Sequence, residues 1–335
     1  WEKLSDFPGT ERTYAIGDFH KDKEYLGFGM MLDSIGIKFH NDLWSYDPVV
    51  DKWEELASCP CSARMHPAFV ALKGKIYVGL GENTNELDDW WEYDIDSNQW
   101  NQKADFPSTE RHHPYQFAIG DYVYVGFGHK ESIYAVYNDW YRYDPKLDKW
   151  QQMASLPAQG RVSGTQFSHN GFGYALSGQG EDHSEMPTGE FWKYTPESNS
   201  WAQLAPHPRA SRFAPSSFIV NEFVYLVAGV FPKDDGKDRV VRYNLNENVK
   251  VPIKDYTRSF VSIYPNPFKD VLIVDLGEVK VKNDFRITVY SSSMEEVYNS
   301  TVFVNSINLE DLFQGIYFVE VVNGNERSIQ KLVSF

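Results

Sequence analysis

Short apolar runs that end in glycine recur along the first three quarters of the chain. KIYVGLG (75–81) and YVYVGFG (122–128) are typical, because each combines β-branched and aromatic residues with a closing glycine. Such runs predict short buried strands that end where one backbone passes close to another. The polar segments between them, such as DPVVDK and DPKLDK, contain the Asp and Pro residues that favour hairpin turns. The pattern therefore predicts an all-β protein.

The predicted strands belong to a repeat that is marked by tryptophan. The tryptophans are Trp1, Trp53, Trp100, Trp150 and Trp201, with spacings of 52, 47, 50 and 51 residues. An arginine follows each tryptophan by 11 residues and a glycine follows it by 28 residues. The arginines are Arg12, Arg64, Arg111, Arg161 and Arg212. A tyrosine opens the second half of every unit, at Tyr46, Tyr93, Tyr143, Tyr194 and Tyr243. This register predicts one supersecondary unit used five times.

A period of about 50 residues with these markers resembles the kelch repeat, in which each unit is one four-stranded blade of a β-propeller. The resemblance covers residues 1–250. The implied blades run over Arg12–Leu56, Arg64–Lys103, Arg111–Met153 and Arg161–Leu204, with a fifth from Arg212 onward. Kelch units usually carry adjacent glycines, whereas the first three units here read G-x-G, which is similar to a bacterial variant.

Closure of the ring is a separate question, because the fifth unit has no tryptophan strand of its own. The segment Trp1–Leu4 has the sequence of such a strand and lacks partners of its own. We expect it to complete the fifth blade, since closure removes both open sheet edges. Two alternatives stay open: residues 249–254 form that outer strand, or a blade precedes the chain and the ring has six blades.

The repeat ends near Tyr256, and residues 251–262 are expected to form a linker. Residues 263–335 contain short alternating strands separated by turns such as Asn323-Gly324, which predict a small immunoglobulin-like β-sandwich. This tail resembles the type A C-terminal sorting domain of the type IX secretion system of Bacteroidetes. Residues that carry the resemblance include Pro265, Asn266, Pro267, Gly315, Tyr317 and Lys331.

The sorting resemblance implies a route of delivery and no particular chemistry. It implies export, with release from the cell or attachment to the outer-membrane surface, and it makes the secretion machinery the partner of the tail. The chain opens at Trp1 and not at Met, so we expect an N-terminal segment such as a signal peptide to have preceded it.

Charge and hydropathy exclude several classes of partner. The chain has 335 residues and a formal net charge of −15, and neither a nucleic acid nor an anionic membrane attracts an acidic protein. No apolar run reaches the 18 or so residues of a membrane span. Aromatic residues make up 16% of the chain, which suits flat packing between blades.

Cys59 and Cys61 are the two cysteines of the chain. Residues two apart on an extended chain have Cα atoms too far apart for easy bridging, so we expect two free thiols. No metal site is predicted there, since only His66 lies near in sequence.

The arginine ring is the first candidate ligand site. Five arginines at one structural position are expected to form a circle near the mouth of the central channel, where they would suit a carboxylate or phosphate. The alternative is structural, because an acid lies four residues before the tyrosine in four of the units. These acids are Asp42, Asp89, Asp139 and Glu190.

The loops after the repeated glycines differ between units and are expected to crown one face of the propeller. Candidate crown residues are His66, His113, His129, Tyr134, Glu181 and His183. Each is, on its own, typical of a solvated loop. The chain has no Gly-rich phosphate loop, HExxH or G-x-S-x-G motif, and a copper radical oxidase would need ligands that we do not find. We therefore expect no cofactor and no metal.

These patterns favour an exported binding module that takes a glycan or a protein. The first alternative is a sugar epimerase or mutarotase that resembles N-acetylneuraminate epimerase at the level of the fold. The second is a structural or adhesion protein of the cell surface. An enzyme needs one pocket with a convergent acid and base, a binder is expected to expose aromatic residues on the crown, and a structural protein is expected to pair every arginine.

Overall fold

A computed structural model of the chain describes residues 2–34, 36–230, 240–246, 261–266, 268–277, 279–291, 296–310, 312, 314–324 and 326–334. These residues form two compact units, over residues 1–251 and 252–335. The predicted linker, 251–262, lies outside the described residues except for its last two. Apart from one 3-10 turn (Glu131–Ile133), the secondary structure of the described residues consists of strands.

The first unit begins with two four-stranded sheets and a hairpin. Its strands are β1 (Ile16–His20), β2 (Lys23–Gly27), β3 (Met30–Leu32), β4 (Ile37–Phe39), β5 (Leu43–Asp47), β6 (Lys52–Leu56), β7 (Ala68–Leu72), β8 (Lys75–Gly79), β9 (Trp90–Asp94) and β10 (Gln99–Lys103). The sheet orders are β1-β2-β5-β6 and β7-β8-β9-β10, and β3 pairs with β4 in a hairpin that follows the repeated glycine.

Three further sheets follow in the same order. Their strands are β11 (Tyr115–Ile119), β12 (Tyr122–Gly126), β13 (His129–Lys130), β14 (Ala135–Val136), β15 (Trp140–Asp144), β16 (Lys149–Met153), β17 (Thr165–His169), β18 (Phe172–Leu176), β19 (Gly189–Thr195), β20 (Ser200–His207), β21 (Ser216–Val220), β22 (Phe223–Val227) and β23 (Val241–Asn244). The sheets are β11-β12-β15-β16, β17-β18-β19-β20 and β21-β22-β23, all antiparallel, with β13 and β14 as a second hairpin.

The core of this unit lies between neighbouring sheets. The first strand of each sheet lies beside the first strand of the next: β1 beside β7, β7 beside β11, β11 beside β17 and β17 beside β21. One buried cluster, for example, joins Val70 and Trp90 of the second sheet to Val125 and Tyr143 of the third. The apolar runs are therefore buried on both faces, which explains why they are nearly continuous and do not alternate. This is the arrangement of propeller blades.

The G-x-G sequence links one blade to the next. At Gly79, a Cβ atom would lie 2.3 Å from the carbonyl oxygen of Asp89, so only glycine fits beside that strand. Gly81 has a φ of +84° and donates its N–H to the carbonyl of Arg111, one unit later, at 2.9 Å. The same link joins Gly29 to Arg64 and Gly128 to Arg161. The second glycine is therefore required by its left-handed conformation and by a contact between blades.

The predicted closing strand is wrong for the described residues. Glu2–Leu4 form no strand, and the fifth sheet has three described strands. Residues of the N-terminal segment instead contact the first blade, because Ser5 donates its N–H to Asp51 at 2.9 Å and accepts a hydrogen bond from Trp53. The alternative outer strand at 249–254 lies outside the described residues.

The prediction of two free thiols is also wrong. The structure joins Cys59 and Cys61 in a disulfide, with Cα atoms 5.1 Å apart. The chain bends at this point, so the separation of the Cα atoms is shorter than in the extended chain that the prediction assumed. Cys59 belongs to the buried cluster between the first and second blades.

The second unit consists of two packed sheets. Its strands are β24 (Ser262–Tyr264), β25 (Val271–Asp275), β26 (Arg286–Ser291), β27 (Glu296–Ser300), β28 (Ser306–Asn308), β29 (Gly315–Asn323) and β30 (Glu326–Ser334). The sheets are β24-β25-β28 and β27-β26-β29-β30. Leu272 and Ile307 from one sheet share a core with Ile287 and Val319 from the other.

Candidate functional site

The five repeated arginines are buried within the blades. Four of them pair with the acid of their own unit, in the pairs Arg12–Asp42, Arg64–Asp89, Arg111–Asp139 and Arg161–Glu190. Arg212 is buried too and donates to the carbonyl of Ala228 at 2.9 Å. This geometry favours the structural alternative, since a guanidinium held by its own blade is not presented to a ligand.

The Arg64–Asp89 pair illustrates how tightly the guanidinium is held. Arg64 donates to Asp89 Oδ2 at 2.8 Å, to the carbonyl of Leu80 at 2.9 Å and to the carbonyl of Ser62 at 2.8 Å. Trp91 also donates its indole N–H to Asp89. Burial raises the pKa of Asp89, but the hydrogen bond and charge of Arg64 outweigh burial and leave that pKa below its usual value. The pair therefore holds together the segments that precede β7 and β9 and follow β8 in the second blade.

The channel itself is lined by the residue two positions after each arginine. These residues are Tyr14, His66, His113, Ser163 and Ala214, and all five have φ between 48° and 57°. Backbone hydrogen bonds link neighbours in this circle, since His113 N–H donates to His66 and Ala214 N–H donates to Ser163. All five line one cavity of about 320 Å³. The repeat therefore places five different side chains at equivalent positions around a single pocket.

Three buried polar atoms of residues in the wall of this cavity have no hydrogen-bond partner among the described residues. They are Oε1 of Gln116, Oγ of Ser163 and Nε2 of His66. A buried acceptor or hydroxyl without a partner is costly, and a ligand or water can satisfy it. His66, His113 and Gln166 add further polar groups to the same wall. The pocket can therefore hydrogen-bond a polar molecule.

Five histidines from three consecutive units meet beside this cavity. They are His66, His112, His113, His129 and His183, and we call them the histidine cluster. The ring of His113 stacks on His66 at 3.6 Å between centroids, and the rings of His112 and His129 lie 3.9 Å apart. The ring centroids of His183 and His129 lie 4.7 Å apart. Glu82 contacts the cluster, with Oε1 at 3.3 Å from His66 Nδ1 and 3.2 Å from His112 Nε2.

Burial keeps the inner members of the cluster uncharged. Desolvation, with smaller contributions from the nearby His66 and His183, lowers the pKa of His112 to about 3. The pKa of His129 is also lowered to about 3, mainly by desolvation, and that of His113 is lowered well below its usual value for the same reason. At neutral pH these rings are neutral imidazoles, which are hydrogen-bonding groups and metal ligands.

Tyr134 and Glu181, the other predicted crown residues, have different surroundings. Tyr134 follows the 3-10 turn and is 76% exposed. Glu181 accepts a hydrogen bond from the N–H of Gly160 at 3.1 Å. The loop that contains Glu181 also brings His183 to the cluster. The structure thus brings together four of the six predicted crown residues, namely His66, His113, His129 and His183.

The predicted sorting residues lie in the second unit. Asn266 accepts a hydrogen bond from the N–H of Val333 at 3.0 Å, and Tyr317 packs on Phe268 in the core. Gly315 begins β29, and the backbone of Lys331 pairs with Phe318. Pro267 lies outside the described residues.

Sequence reasoning missed His112, Gln116 and Ser163. The register contains a usable signal, because every residue two positions after a repeated arginine faces the channel. His112 directly follows Arg111 and pairs with His129 of its own unit, but its contact with Glu82 crosses between units and leaves no mark in the sequence. Only the placement of whole blades beside one another shows that they share a site.

Comparisons with known proteins identify both units. Residues 25–248 match the family described as Attractin/LZTR1 beta-propeller, and residues 262–334 match the secretion system C-terminal sorting domain. These matches confirm the propeller resemblance and the sorting resemblance. The sorting domain indicates export, to the cell surface or the medium. Within the described residues, no helix has the length and hydropathy of a membrane span.

A solved structure titled "Structure of YjhT", a kelch-type propeller, is similar to this chain with a TM-score of 0.62 and 16% sequence identity. The match covers 73% of this chain and 85% of that one. At this identity the likeness shows the fold alone. A comparison with curated proteins finds no significant match.

Proposed function

Because the chain belongs to the Attractin/LZTR1 beta-propeller family and carries a secretion sorting domain, we propose that it is an exported binding protein whose channel takes a glycan. The observation that carries the proposal is that two of the unpartnered polar atoms, Gln116 Oε1 and Ser163 Oγ, lie in the wall of a cavity of about 320 Å³. This volume is in the range of small-molecule sites, which begins at about 300 Å³.

The character of the wall also supports a sugar ligand. The lining contains the amide, hydroxyl and imidazole groups of Gln116, Ser163 and His113, and also the aromatic residues Tyr14 and Phe213. Sugars present hydroxyl groups and apolar C–H faces, and such a mixed wall matches both. Among the described residues that form this wall, none is acidic. A paired acid and base, which the epimerase alternative requires, therefore has no support here.

The test is a binding titration of the full chain with neutral and acidic oligosaccharides. We expect Gln116→Leu and Ser163→Ala to weaken binding of the preferred glycan by about tenfold each, since each removes one hydrogen bond to the ligand. Gln102→Leu makes the same chemical change on the exposed face of β10 and is expected to have no effect. Equal affinity of all three variants and the parent, or no glycan binding by the folded protein, would contradict the proposal.

A protein partner is the second candidate, and exposed apolar side chains favour it. Leu32 and Ile37 lie exposed on the β3–β4 hairpin, and Ile133 and Tyr134 lie exposed between β13 and β14. Apolar groups at loop tips are typical of protein contacts when they form a patch. Replacing Ile133 and Tyr134 with serine would abolish such a contact and leave glycan binding unchanged.

A further inference from the structure

The histidine cluster contains more unsatisfied ring nitrogens than a structural role requires. Four ring nitrogens of the cluster have no hydrogen-bond partner among the described residues, namely Nε2 of His66, Nδ1 of His112, Nδ1 of His129 and Nε2 of His183. Oε2 of Glu131 lies 3.6 Å from Nδ1 of His129. His112 and His129 are 4% and 7% exposed. A buried polar group normally has a partner, and an orphaned group in a native structure indicates a missing ion, water or ligand. Four such groups show that the hydrogen bonds of the cluster are incomplete. In His66 and His112 the orphaned atom is the second ring nitrogen, and the other nitrogen of each ring faces Glu82, where the two rings can share an ion.

The distances around Glu82 match those of a metal site. Two ligand atoms that are each 2.0–2.1 Å from a tetrahedral zinc ion lie about 3.3–3.4 Å from one another. Oε1 of Glu82 lies 3.3 Å from His66 Nδ1 and 3.2 Å from His112 Nε2. The ligand atoms of His66, His112 and His113 all lie within 4.8 Å of one another, a separation that small side-chain rotations would shorten.

The chemistry of the donor set selects the ion. Three imidazoles and one carboxylate are borderline ligands, which suit zinc better than calcium or magnesium, because the latter prefer sets of oxygen atoms. Neutral imidazole is also the form that coordinates a metal. We infer that the cluster binds one zinc ion through His66, His112, His113 and Glu82.

His129 is a positioning residue in this arrangement. Its Nε2 lies 3.4 Å from Nδ1 of His113, so one nitrogen can donate to the other. A hydrogen bond to the second nitrogen of a ligating histidine fixes the tautomer and the orientation of the ring. His183 packs against His129 from the next blade and closes this side of the cluster.

The site lies outside what sequence motifs detect. Its ligands come from two successive units and from two different places in the repeat, namely the segment after the arginine and the loop after the second glycine. No pair of them has the spacing of a known zinc motif. Within each blade a backbone bridge joins these two places, since Met65 pairs with Glu82 and His112 pairs with His129. The hydrogen bond from His113 N–H to the carbonyl of His66 joins the two blades.

The test uses the full chain, stripped of metal, and titrates Zn²⁺ alone against a competing chromophoric chelator. We expect one equivalent to bind. Glu82→Gln keeps the shape of the side chain, and His112→Ala removes a ligand. Loss of an outer-sphere partner weakens metal binding by about 10–100-fold, so loss of a direct ligand is expected to weaken it by at least that factor. Replacing Zn²⁺ with Co²⁺ adds a visible spectrum that reports tetrahedral coordination.

His169→Ala is the matched control. His169 ends β17 of the fourth blade, pairs with Glu222 of the fifth and does not belong to the histidine cluster. We expect it to bind zinc like the parent. If His112→Ala does not fold, as judged by circular dichroism, Glu82→Gln and His66→Asn provide the result. No saturable binding by the parent, or equal affinity in the folded variants, would overturn the inference.

A third outcome would overturn the ligand assignment. His112, His129 and Glu131 form another triad whose ligand atoms lie within 4.8 Å of one another. Binding that is lost in Glu131→Gln and retained in Glu82→Gln would place the ion there. The titration contains no glycan, so its result is independent of the proposed function of the channel.

Discussion

The indole N–H of Trp100 donates a hydrogen bond of 2.7 Å to the carbonyl of Ala57, 43 residues earlier in the chain. The N–H of Ala57 in turn donates to Oδ1 of Asn98 at 2.8 Å. The next units repeat this exchange, with Trp150 bonded to Ala104 and Trp201 bonded to Ala154. Each tryptophan therefore binds the segment that leaves the preceding blade, which explains its place in the repeat.

Asn98 tests this link. Its Oδ1 accepts hydrogen bonds from Ala57 N–H and from the hydroxyl of Tyr93. We expect Asn98→Ala to lower the free energy of unfolding by about 2–3 kcal/mol, since two donors lose their acceptor. Asn98→Asp is the control, because Asp148 accepts the same two bonds in the next unit, and it is expected to be nearly neutral. Urea denaturation measures both changes, and equal losses would contradict this account.

Arg64 tests the buried ion pairs. We expect Arg64→Met to destabilise the propeller by about 3–5 kcal/mol, because it leaves the carboxylate of Asp89 partly buried without its counter-ion. Arg142→Met on β15 removes the same charge at a half-buried position, where the guanidinium lies over the ring of Tyr122 and donates to Gln151. It leaves no buried carboxylate without a counter-ion and is expected to cost less than about 1 kcal/mol. Chemical denaturation with intrinsic tryptophan fluorescence compares the two. A small effect at Arg64 would show that the pair is dispensable.

The lowered pKa of Asp89 predicts in which direction the free energy of unfolding changes at acidic pH. Its folded-state pKa is lowered from 3.8, so the carboxyl binds a proton more weakly in the folded protein than in the unfolded chain. The resulting stabilisation is fully present above the unfolded-state pKa and is lost as pH falls through the folded-state value. We expect Asp89→Asn to lose less stability than the parent between about pH 4 and pH 2. Parallel urea midpoints for the two proteins over this window would exclude the linkage.

A comparison of Gly81 with Gly74 distinguishes the cost of a left-handed backbone from the cost of a steric clash with a neighbouring backbone. Both have positive φ, at +84° and +78°, but a Cβ on Gly81 would lie 2.7 Å from the carbonyl oxygen of Met65, whereas one on Gly74 would meet open space. We expect Gly74→Ala to cost about 1–2 kcal/mol through strain alone. Gly81→Ala is expected to cost at least about 1–3 kcal/mol more, because the backbone of Met65 and Pro67 has to move. Thermal melts of the two variants decide the point.

The disulfide is expected to contribute little to the fold of its loop. Asn41 donates its amide to the carbonyls of Cys59 and Cys61, and Asn138 donates in the same way to Leu156 and Ala158. The third blade thus forms the same loop with Leu156 and Ala158 in place of the cysteines. A cross-link that closes so short a loop adds at most about 1–2 kcal/mol by chain entropy.

The matching substitution pair is Cys59→Leu with Cys61→Ala. We expect it to lower the free energy of unfolding by no more than about 2 kcal/mol and to leave zinc and glycan binding unchanged. Treatment of the parent with a reductant is expected to give the same small shift. Unfolding of either sample at ordinary temperature would show that the cross-link is required.

Much of the propeller follows from the sequence, because its determinants are local and periodic. Tyr143, Trp150, Arg161 and Gly178 serve the same contacts as their counterparts in other units, so the register alone located the strands and the turns. The tail was equally readable through residues such as Asn266 and Tyr317. What failed were predictions about single places without a repeat: the bend at Cys59 and the strand expected at Glu2–Leu4.

The sequence by itself determined the blades and the sorting tail, because each blade's hairpins and inter-blade links depend on residues at fixed spacing. The tertiary structure decided which side of each arginine faces the channel and which histidines meet. Arg64 turns inward to Asp89, while His66, two residues later, adopts a left-handed conformation that directs it to the cavity. Glu82 and His112 are brought together by the packing of separate blades, and such a meeting depends on the geometry of the whole ring, which leaves no mark in the order of the residues.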